Sequence, residues 1–413
     1  MRPSLDRIDL LAGFPAPDLH PVKLLKDAAA VALSEPLIYT PGLGYGPEEG
    51  YGPLRQSVAK WLTDVYQRPE PISAERICIT GGASQNLACI LHAGFRDERI
   101  KAIPGGDSIT VGGIDLSFLE HAMEMAEKQR FGESCFPRKP SLPHRKFYKH
   151  VVYCVPTFSN PSGITMPQDT RESLVRLARK YDALVICDDV YDFLPTGMID
   201  DEPGTLGVRP PQRIVDVDRD LDRGLGNGFG NVVSNASFSK IVGPGCRVGW
   251  AEGSERFIAG LSQAGATRSG GAPSQLMSTF INHLLANGSL QKHLQQILVP
   301  ACAARYRMLE SAIRSHLEPL RVSLDNADGG YFVWLKLPDP LTARAVAEKA
   351  LEEENLVIGH GELFAVSSLD DGINHSDTVI TRRIRLCFMW ESKTNLEEGV
   401  VRLARTIRRI LRE

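Results

Sequence analysis

The feature that most constrains the fold of this chain is a set of short apolar segments that alternate with helical patterns. Four of these segments have the length of a buried strand: 76–80 (RICIT), 150–155 (HVVYCV), 183–187 (ALVIC) and 231–235 (NVVSN). Helices are predicted from residue 85 and over residues 169–180, where apolar side chains recur at helical spacing. Because strands that alternate with helices form parallel sheets covered by helices, the sequence predicts an α/β protein with a mainly parallel sheet.

The C-terminal part of the chain has a different pattern. Residues 330–337 (GYFVWLKL) and 383–388 (RIRLCF) are predicted strands, and a final helix is predicted after Thr394. Residues 285–317 are helical in pattern, but Pro300 predicts a break or a kink because proline lacks the amide that the helix needs.

A length of 413 residues is too great for one compact core, so two domains are expected. We predict a large domain over residues 40–290, in which helices flank the mainly parallel sheet. A smaller α+β domain is predicted from residues 1–39 and 291–413. Two irregular stretches, residues 130–149 and 203–230, are rich in proline and are predicted to be exposed loops.

Composition argues against several classes of protein. The chain has 47 Lys and Arg residues against 50 Asp and Glu residues, which leaves no charge pattern for nucleic acid or an anionic membrane. No apolar run approaches the roughly 18 residues of a membrane span, and the N-terminal segment does not resemble a secretory signal. The 8 cysteines and 10 histidines show no metal-ligand spacing. We therefore expect a cytoplasmic protein without a metal site.

Small and polar residues follow the predicted strands, at the edge where parallel sheets bind ligands. Gly81-Gly82-Ala83-Ser84-Gln85 follows the first strand and could approach a phosphate at a helix N-terminus, although a tight turn explains this motif at least as well. Asn160-Pro161-Ser162-Gly163 follows the second strand and is by itself ordinary turn chemistry. Asp188 ends the third strand and is either paired with a cation or a solvated helix cap.

The fourth strand leads to Ser237-Phe238-Ser239-Lys240, a Gly-Pro-Gly turn and Arg247. A lysine at this place is unusual for a surface loop, and a buried lysine with a lowered pKa can form a Schiff base. Ser237 and Arg247 could hold a phosphate, the arginine through two parallel hydrogen bonds. The chain has no Walker-type G-K-[ST] here and no G-x-G-x-x-G between a strand and a helix, which argues against a nicotinamide dehydrogenase.

Taken in order, five motifs resemble those of the fold-type I pyridoxal-phosphate enzymes: Gly-Gly-Ala-Ser-Gln, Asn-Pro-Ser-Gly, Asp-Asp-Val-Tyr, Ser-Phe-Ser-Lys and Arg-Val-Gly-Trp. The narrower likeness is to class I/II aminotransferases of the aminoadipate/kynurenine and aromatic type. It runs from residues 11–15 (LAGFP) to residues 385–388 (RLCF). The resemblance implies the aminotransferase fold of type I, a pyridoxal 5′-phosphate cofactor and a homodimer with shared active sites.

The resemblance also implies roles for single residues. Lys240 would form a Schiff base with the cofactor and then carry a proton between the substrate Cα and the cofactor C4′. Asp188 would pair with the pyridine nitrogen, and Tyr191 and Asn160 would hydrogen-bond the 3-oxygen of the ring. The residues that would seat the cofactor phosphate are Ser84, Gln85, Ser237 and Arg247.

Substrate and subunit contacts follow from the same resemblance. Arg385 would clamp the substrate carboxylate next to Asn160, with Arg383 as a competitor in the same basic run. Gly13 would lie against the substrate. Tyr45 would reach the phosphate in the neighbouring subunit, which would make the dimer necessary for activity; the alternative is a tyrosine packed locally in a glycine-rich loop.

One part of the family pattern is missing from this sequence. After Leu91 the family has a further strand and crossover of about 30 residues, with a tyrosine whose ring stacks on the pyridine. Here residues 91–96 (LHAGFR) run straight through. Three explanations compete: a mis-spliced or truncated gene model, a variant in which His92 or Phe95 replaces the ring, and a degenerate member with weak cofactor binding. The first is preferred because losing a strand removes ladder hydrogen bonds and core together.

The leading functional hypothesis is transamination between an α-amino acid and a 2-oxo acid. A pyridoxal-phosphate lyase, or a C–S or C–C bond-forming enzyme of secondary metabolism, is the first alternative, because the same residues serve all of these reactions. The second alternative is a degenerate, non-catalytic member that keeps the fold as a binding module. The intact cofactor residues argue against it. The identity of the substrates does not follow from the sequence.

Overall fold

The computed structural model describes residues 5–94, 103–104, 114–130, 145–197, 211–226, 228–268, 271, 273–365 and 379–412. The strands in these residues are β1 (Ile8–Asp9), β2 (Ile77–Thr80), β3 (Ile103–Pro104), β4 (His150–Cys154), β5 (Ala183–Asp188), β6 (Val232–Ser237), β7 (Gly249–Glu252), β8 (Ser323–Asp325), β9 (Phe332–Lys336), β10 (Leu356–Val357), β11 (Gly359–His360) and β12 (Arg383–Cys387).

The helices of the described residues flank these strands and connect them. They are α1 (Val22–Ser34), α2 (Pro36–Leu43), α3 (Gly52–Val65), α4 (Ala83–Gly94), α5 (Leu116–Arg130), α6 (Gln168–Lys180), α7 (Ile214–Asp220), α8 (Glu255–Ser262), α9 (Gln275–Ala286), α10 (Ser289–His293), α11 (Val299–His316), α12 (Ala343–Glu354) and α13 (Lys393–Ile410).

The large sheet has the strand order β2-β7-β6-β5-β4-β3. Strands β3 to β6 are parallel to one another, whereas β7 is antiparallel to both of its neighbours. The sequence prediction of an α/β fold with a mainly parallel sheet is confirmed. The carboxyl ends of β4, β5 and β6 therefore open on the same edge, which brings together the motifs that follow them.

Strand β5 shows why the predicted strands are continuous apolar runs. Val185 and Cys187 are buried on one face with the apolar side of α6, while Leu184 and Ile186 are buried on the other face with residues of α4 and α8. A strand covered by helices on both faces has no solvent side, so polar residues do not alternate along it. Asp188 is the first charged residue of β5, and it comes where the helices no longer cover the strand.

A second sheet, with the order β11-β12-β9-β8, is antiparallel throughout and contains both strands predicted in the C-terminal part. The N-terminal segment joins it from the other end of the chain. Strand β1 pairs in parallel with β10, and the carbonyl oxygen of Leu10 accepts a hydrogen bond of 2.7 Å from the amide of Cys387. These bonds place residues 11–14 near the carboxyl ends of the parallel strands of the large sheet.

The break predicted at Pro300 takes the form of a π-helical turn. Residues Leu294–Leu298 form this turn between α10 and α11, and Pro300 lies in the first turn of α11. The π-helical turn ends just before Pro300, which has no amide to donate to it, and the amide of Val299 bonds the carbonyl oxygen of Leu294. No helix in the described parts of the chain combines the length and the apolar character needed to cross a membrane.

The prediction of an exposed loop over residues 203–230 is wrong for its second half, where α7 lies with Ile214, Val215 and Val217 buried. The aspartates of residues 203–230 indicated a solvated loop, but arginine side chains neutralise the aspartates of α7 inside the protein. Arg213 donates to Asp216 at 2.9 Å and to Glu252 of β7 at 2.7 Å. Residues 203–210 and 227 of the predicted loop, and residues 131–144 of the other one, lie outside the described residues.

Two further carboxyl groups, Asp189 and Asp192, are buried directly behind the end of β5. The hydroxyl of Tyr66 donates to Asp192 Oδ2 at 2.7 Å, and Ser234 donates to Asp189. Burial raises the pKa of Asp192 to about 6, although the Tyr66 hydrogen bond and the nearby arginines oppose the shift. Burial and the neighbouring Asp192 also raise the pKa of Asp189.

The raised pKa predicts a pH-dependent loss of stability. Unfolded Asp192 loses its proton near the ordinary value of about 4, but the folded protein holds the proton until about pH 6, so stability from this group falls as the pH rises through that window. Asp192→Asn should reduce the fall in the free energy of unfolding between about pH 4.5 and pH 7, measured by urea denaturation. Asp64→Asn, at an exposed position, is the control. An unchanged pH slope in Asp192→Asn would contradict the prediction.

Candidate active site

Asp188 lies at the carboxyl end of β5, in register with Asn235 on β6. Its Oδ2 accepts a hydrogen bond of 2.5 Å from the hydroxyl of Tyr153 on β4, while its Oδ1 is buried and has no hydrogen-bond partner among the described residues. Burial raises the pKa of Asp188, and the Tyr153 hydrogen bond and the charge of Lys240 oppose that shift. An unsatisfied carboxylate oxygen is costly inside a protein, so it marks a place for a hydrogen-bond donor.

Lys240 follows β6 in the short helical turn Phe238–Lys240. Its Nζ donates a hydrogen bond of 2.6 Å to the carbonyl oxygen of Gly13 and lies 5.7 Å from the ring centre of Tyr191. Burial lowers the pKa of Lys240, with Asp188 acting in the opposite direction. The site therefore contains a partly buried amine that gives up its proton more readily than an exposed lysine.

Two aromatic residues surround this lysine. Tyr331 donates from its hydroxyl to the carbonyl oxygen of Lys240 at 2.7 Å, which fixes the backbone of the lysine. The buried ring of Tyr191 lies 5.6 Å from that of Tyr331 and 5.9 Å from that of Phe332. Burial, with a smaller contribution from Asp188, raises the pKa of Tyr191, so its hydroxyl remains a donor at neutral pH.

The loops after β2 and β6 meet at Arg247. Arg247 Nη2 donates to the carbonyl oxygen of Gly81 at 2.6 Å. Gly82 has a φ of +95°, and a Cβ at this position would lie 2.9 Å from Arg247 Nη2, so glycine is required both for the backbone and for the close approach. The first turn of α4 then exposes Ser84 next to this cationic loop.

The side chain of Gln85 does not face outwards as a phosphate ligand. Its Oε1 accepts a hydrogen bond of 3.0 Å from the amide of Gly81, and its Nε2 is directed at Cys89. Ser237 Oγ lies 2.7 Å from Ser239 Oγ at the end of β6. A buried amide pair joins the two loops, because Asn86 donates to Asn235 at 2.9 Å and Asn235 donates to the carbonyl oxygen of Ala83 at 3.0 Å.

Arg385 on β12 comes from the second sheet and reaches the loop after β4. Its Nη1 donates to Asn160 Oδ1 at 2.7 Å, and its Nη2 donates to the carbonyl oxygen of Leu11 at 2.7 Å. Its guanidinium carbon lies 4.0 Å from the ring centre of Phe332 and 4.3 Å from that of Phe364. Arg383, the competitor, is engaged elsewhere: its Nη1 pairs with Asp325 at 2.6 Å.

A buried arginine of α6 binds the backbone of the loop that contains Asn160. Arg171 of α6 donates to the carbonyl oxygens of Met166 at 2.9 Å and Pro156 at 2.8 Å, and to Thr157 Oγ1 at 3.0 Å. Gly163 closes the loop with a φ of +73°, and a Cβ there would lie 2.6 Å from the Cβ of Ala327. The turn after β4 therefore needs glycine, and its position depends on the fully buried Arg171.

The structure thus brings Asp188, Lys240 and Tyr191 together with Gly13, and places Asn160 against Arg385. Tyr45 is the exception within the single chain, because it lies in the loop after α2 and is 91% exposed. His92 is exposed in the last turn of α4, and Phe95 lies outside the described residues. The proposed replacement of the missing stacking ring by either residue therefore remains a prediction.

Sequence reasoning missed four aromatic residues of this site. They are Tyr153, Tyr331, Phe332 and Phe364. Tyr331 and Phe332 follow a pair of glycines at the start of a predicted strand, which is a weak signal. Tyr153 gives none, since an aromatic residue is common in a buried strand. Among the described residues no group of three or more His, Cys, Asp or Glu side chains could hold a metal ion.

This arrangement offers a buried amine, a carboxylate with one free oxygen and a cationic loop at a helix N-terminus. The family model of aminotransferase class I and II matches residues 95–403. The chain belongs to this family. Its aminotransferase fold of type I and its place among the transferases follow from that membership, and pyridoxal phosphate is the cofactor.

Relatives of known sequence and structure agree with this assignment. The uncharacterised protein YER152C of Saccharomyces cerevisiae is 32% identical, over 87% of this chain and 88% of its own length. Aromatic-amino-acid aminotransferase 1 of Thermococcus litoralis is 27% identical, over 98% of this chain and 88% of its own. The solved kynurenine aminotransferase of Pyrococcus horikoshii, in complex with PMP, is 25% identical, with 98% and 92% covered and a TM-score of 0.77.

The residues present fit this cofactor. The unpartnered Oδ1 of Asp188 is an acceptor suited to a protonated pyridine nitrogen, and the amine of Lys240 suits an aldehyde. Gly82 leaves the N-terminus of α4 and Arg247 open to a phosphate. The pyridine nitrogen, the aldehyde and the phosphate of the cofactor therefore each have a chemically matching group on the protein.

Proposed function

We propose that this aminotransferase moves an amino group between an α-amino acid and a 2-oxo acid through a Schiff base on Lys240. The observation that carries the proposal is the position of Lys240 Nζ. It is buried in the same site as the free Asp188 oxygen, and it is held at 2.6 Å by the carbonyl oxygen of Gly13. The lowered pKa of Lys240 favours the unprotonated amine, which is the nucleophilic form.

Lys240 would hold the cofactor through its amine nitrogen at the aldehyde carbon. When bound, pyridoxal phosphate would supply an electron sink for the charge that develops at the substrate Cα. With the substrate in place, the amine of Lys240 would carry a proton between the substrate Cα and the cofactor C4′. Overall, the amino acid becomes a 2-oxo acid, and the second 2-oxo acid becomes an amino acid.

The other residues hold the cofactor in place. Asp188 keeps the pyridine nitrogen protonated, and Tyr191 and Asn160 hydrogen-bond the 3-oxygen of the ring. The phosphate is held by Ser84, Ser237, Arg247 and the residues around Gln85. Because the Gln85 side chain is turned to the Gly81 amide, we propose that Gln85 contributes through its backbone N–H at the helix N-terminus.

Arg385 binds the carboxylate that every α-amino acid and 2-oxo acid carries. Its Nη1 and Nη2 atoms are now held by weaker, uncharged acceptors, the Asn160 amide oxygen and the Leu11 carbonyl oxygen. A carboxylate can replace these with charge-assisted bonds, while Gly13 leaves room for the substrate. Relatives include an aromatic-amino-acid aminotransferase and a 2-aminoadipate transaminase, which supports amino-acid substrates without selecting one.

We further propose that residues 40–290 form the large cofactor domain, and residues 1–39 and 291–413 the small domain, of a homodimer with shared active sites. Exposed large apolar and aromatic residues along α2 and just after it support the dimer, because such residues tend to be covered by a partner. Leu37 is 90% exposed, Leu43 67% and Tyr45 91%. Tyr45 would then reach the phosphate of the neighbouring site.

Lys240→Ala should abolish the visible absorbance of added pyridoxal phosphate on the protein and lower the transamination rate by at least about 10³-fold. Exposed Lys336→Ala is the control. The measurement is a spectral titration followed by glutamate formation from 2-oxoglutarate with a panel of amino donors. Keto-acid or elimination products without glutamate would favour a lyase. A wild-type spectrum identical to that of Lys240→Ala would favour the non-catalytic alternative and refute the proposal.

Arg385→Gln should lower kcat/KM for the amino donor by about 100-fold, mainly through KM, because the substrate carboxylate loses its charged partner. Arg383→Gln removes only the contact with Asp325 and should change kcat/KM by no more than about twofold. The measurement is steady-state kinetics of both variants. A larger effect of Arg383→Gln would assign the substrate carboxylate to Arg383 instead of Arg385.

The shared site predicts complementation between subunits. Tyr45→Ala and Lys240→Ala should each be inactive or nearly so. Mixing them after mild dissociation should restore about a quarter of the wild-type activity, because half of the dimers are hybrids with one intact site. Analytical ultracentrifugation checks that dimers form. Dimers without recovered activity would show that Tyr45 acts within its own subunit.

A further inference from the structure

The two carboxylate oxygens of Asp188 are in different environments. Oδ2 accepts the 2.5 Å hydrogen bond from the Tyr153 hydroxyl, whereas Oδ1 is buried and finds no partner in the parts of the chain that the structure describes. A carboxylate can rotate about its bond to Cβ, and a hydrogen bond to one oxygen restricts that rotation. The bond from Tyr153 therefore determines where Oδ1 points.

The register of the sheet explains why Tyr153 can reach this oxygen. Tyr153 on β4 is paired with Ile186 on β5, two residues before Asp188, so Tyr153 and Asp188 share a face of the sheet. A tyrosine is long enough to reach its diagonal neighbour on the next strand. On the other side of Asp188, Asn235 uses its side chain to bind Ala83 and Asn86 and is not turned to the carboxylate.

The contact also affects the charge of Asp188. Burial favours the protonated acid, while a hydroxyl donor favours the carboxylate, as the directions of the pKa shift at Asp188 indicate. Burial and Asp188 itself raise the pKa of Tyr153, so the phenol keeps its proton and donates it. The backbone amide of Val190 acts on Asp188 in the same direction as Tyr153, and Lys240 contributes its charge.

We propose that Tyr153 is a positioning residue that aims Asp188 at the pyridine nitrogen of the cofactor and keeps the carboxylate ionised. This inference rests on the proposed function, because it assumes that the cofactor ring lies with its nitrogen at Asp188 Oδ1. Tyr153 touches neither the substrate nor the Schiff base, and it acts through Asp188. Its effect is therefore on cofactor affinity and on the charge of the ring.

The surroundings of Tyr153 make the proposal testable without harming the fold. Tyr153 is 40% exposed. It lies on β4, near the edge of the large sheet, where only the short β3 follows among the described residues. Replacing tyrosine with phenylalanine removes the hydroxyl and leaves the ring. No core cavity results, so folding should be unaffected.

Tyr153→Phe tests the proposal, with Tyr148→Phe as the matched control. Tyr148, at the entry to the same strand, donates to the carbonyl oxygen of Gly230 at 2.7 Å and contacts no residue of the site. Tyr153→Phe should weaken the binding of pyridoxal phosphate about tenfold, the usual effect of losing a hydrogen bond to a charged group. The control should bind as the wild type does. Thermal unfolding of both variants without cofactor verifies the fold.

The pH titration of the cofactor spectrum is the second measurement. Without the Tyr153 hydroxyl, the ring nitrogen should be less fully protonated, and the ring then withdraws fewer electrons. The pH at which the bound cofactor changes its visible band should therefore rise in Tyr153→Phe and stay unchanged in Tyr148→Phe. Unchanged affinity and titration in Tyr153→Phe would overturn the inference, as would equal losses in both variants. A wild-type protein with no Lys240-dependent band would instead refute the proposed function itself.

Discussion

Two charged side chains, Lys240 and Asp188, must be stabilised at the carboxyl ends of the parallel strands, and the arrangement of the other elements depends on this requirement. Lys240 and Asp188 are both withdrawn from water, and burial shifts the pKa of each towards its neutral form. Each charge is met by a group from a distant part of the chain: the Gly13 carbonyl oxygen for the lysine and the Tyr153 hydroxyl for the carboxylate. The strand order and the path of the N-terminal segment serve to bring these groups together.

Buried arginines solve the same problem in the supporting structure. Arg171 is fully buried, and its donors fix the backbone before Asn160, so a residue of α6 determines where a site loop lies. Arg213 neutralises Asp216 and Glu252 and allows an acidic helix to pack on the sheet. Each of these two buried arginines makes several hydrogen bonds, which is what makes its burial tolerable. The site loops are therefore held by polar contacts as much as by apolar packing.

Local sequence patterns were sufficient for most of the large sheet and for the residues that end its strands. The apolar runs became β2, β4, β5 and β6, since a strand buried on both faces needs a continuous apolar sequence. The same reasoning failed for α7, whose acidic residues suggested a solvated loop. Their partners, the buried Arg213 and the partly buried Arg219, can be recognised only once the helix is packed. An acidic pattern alone does not distinguish solvation from ion pairing.

The sequence by itself determined the α/β class, the family and the order of the motifs that carry Asp188, Lys240 and Arg385, because short-range composition sets strands, turns and the residues after them. Only the tertiary structure shows that Arg385 contacts Asn160 while Arg383 pairs with Asp325, that the Gln85 side chain bonds the Gly81 amide, and that the Tyr153 hydroxyl bonds Asp188. These outcomes depend on register and on contacts between residues far apart in the chain. A linear pattern does not contain that information, since alternate residues of one strand face opposite sides of the sheet.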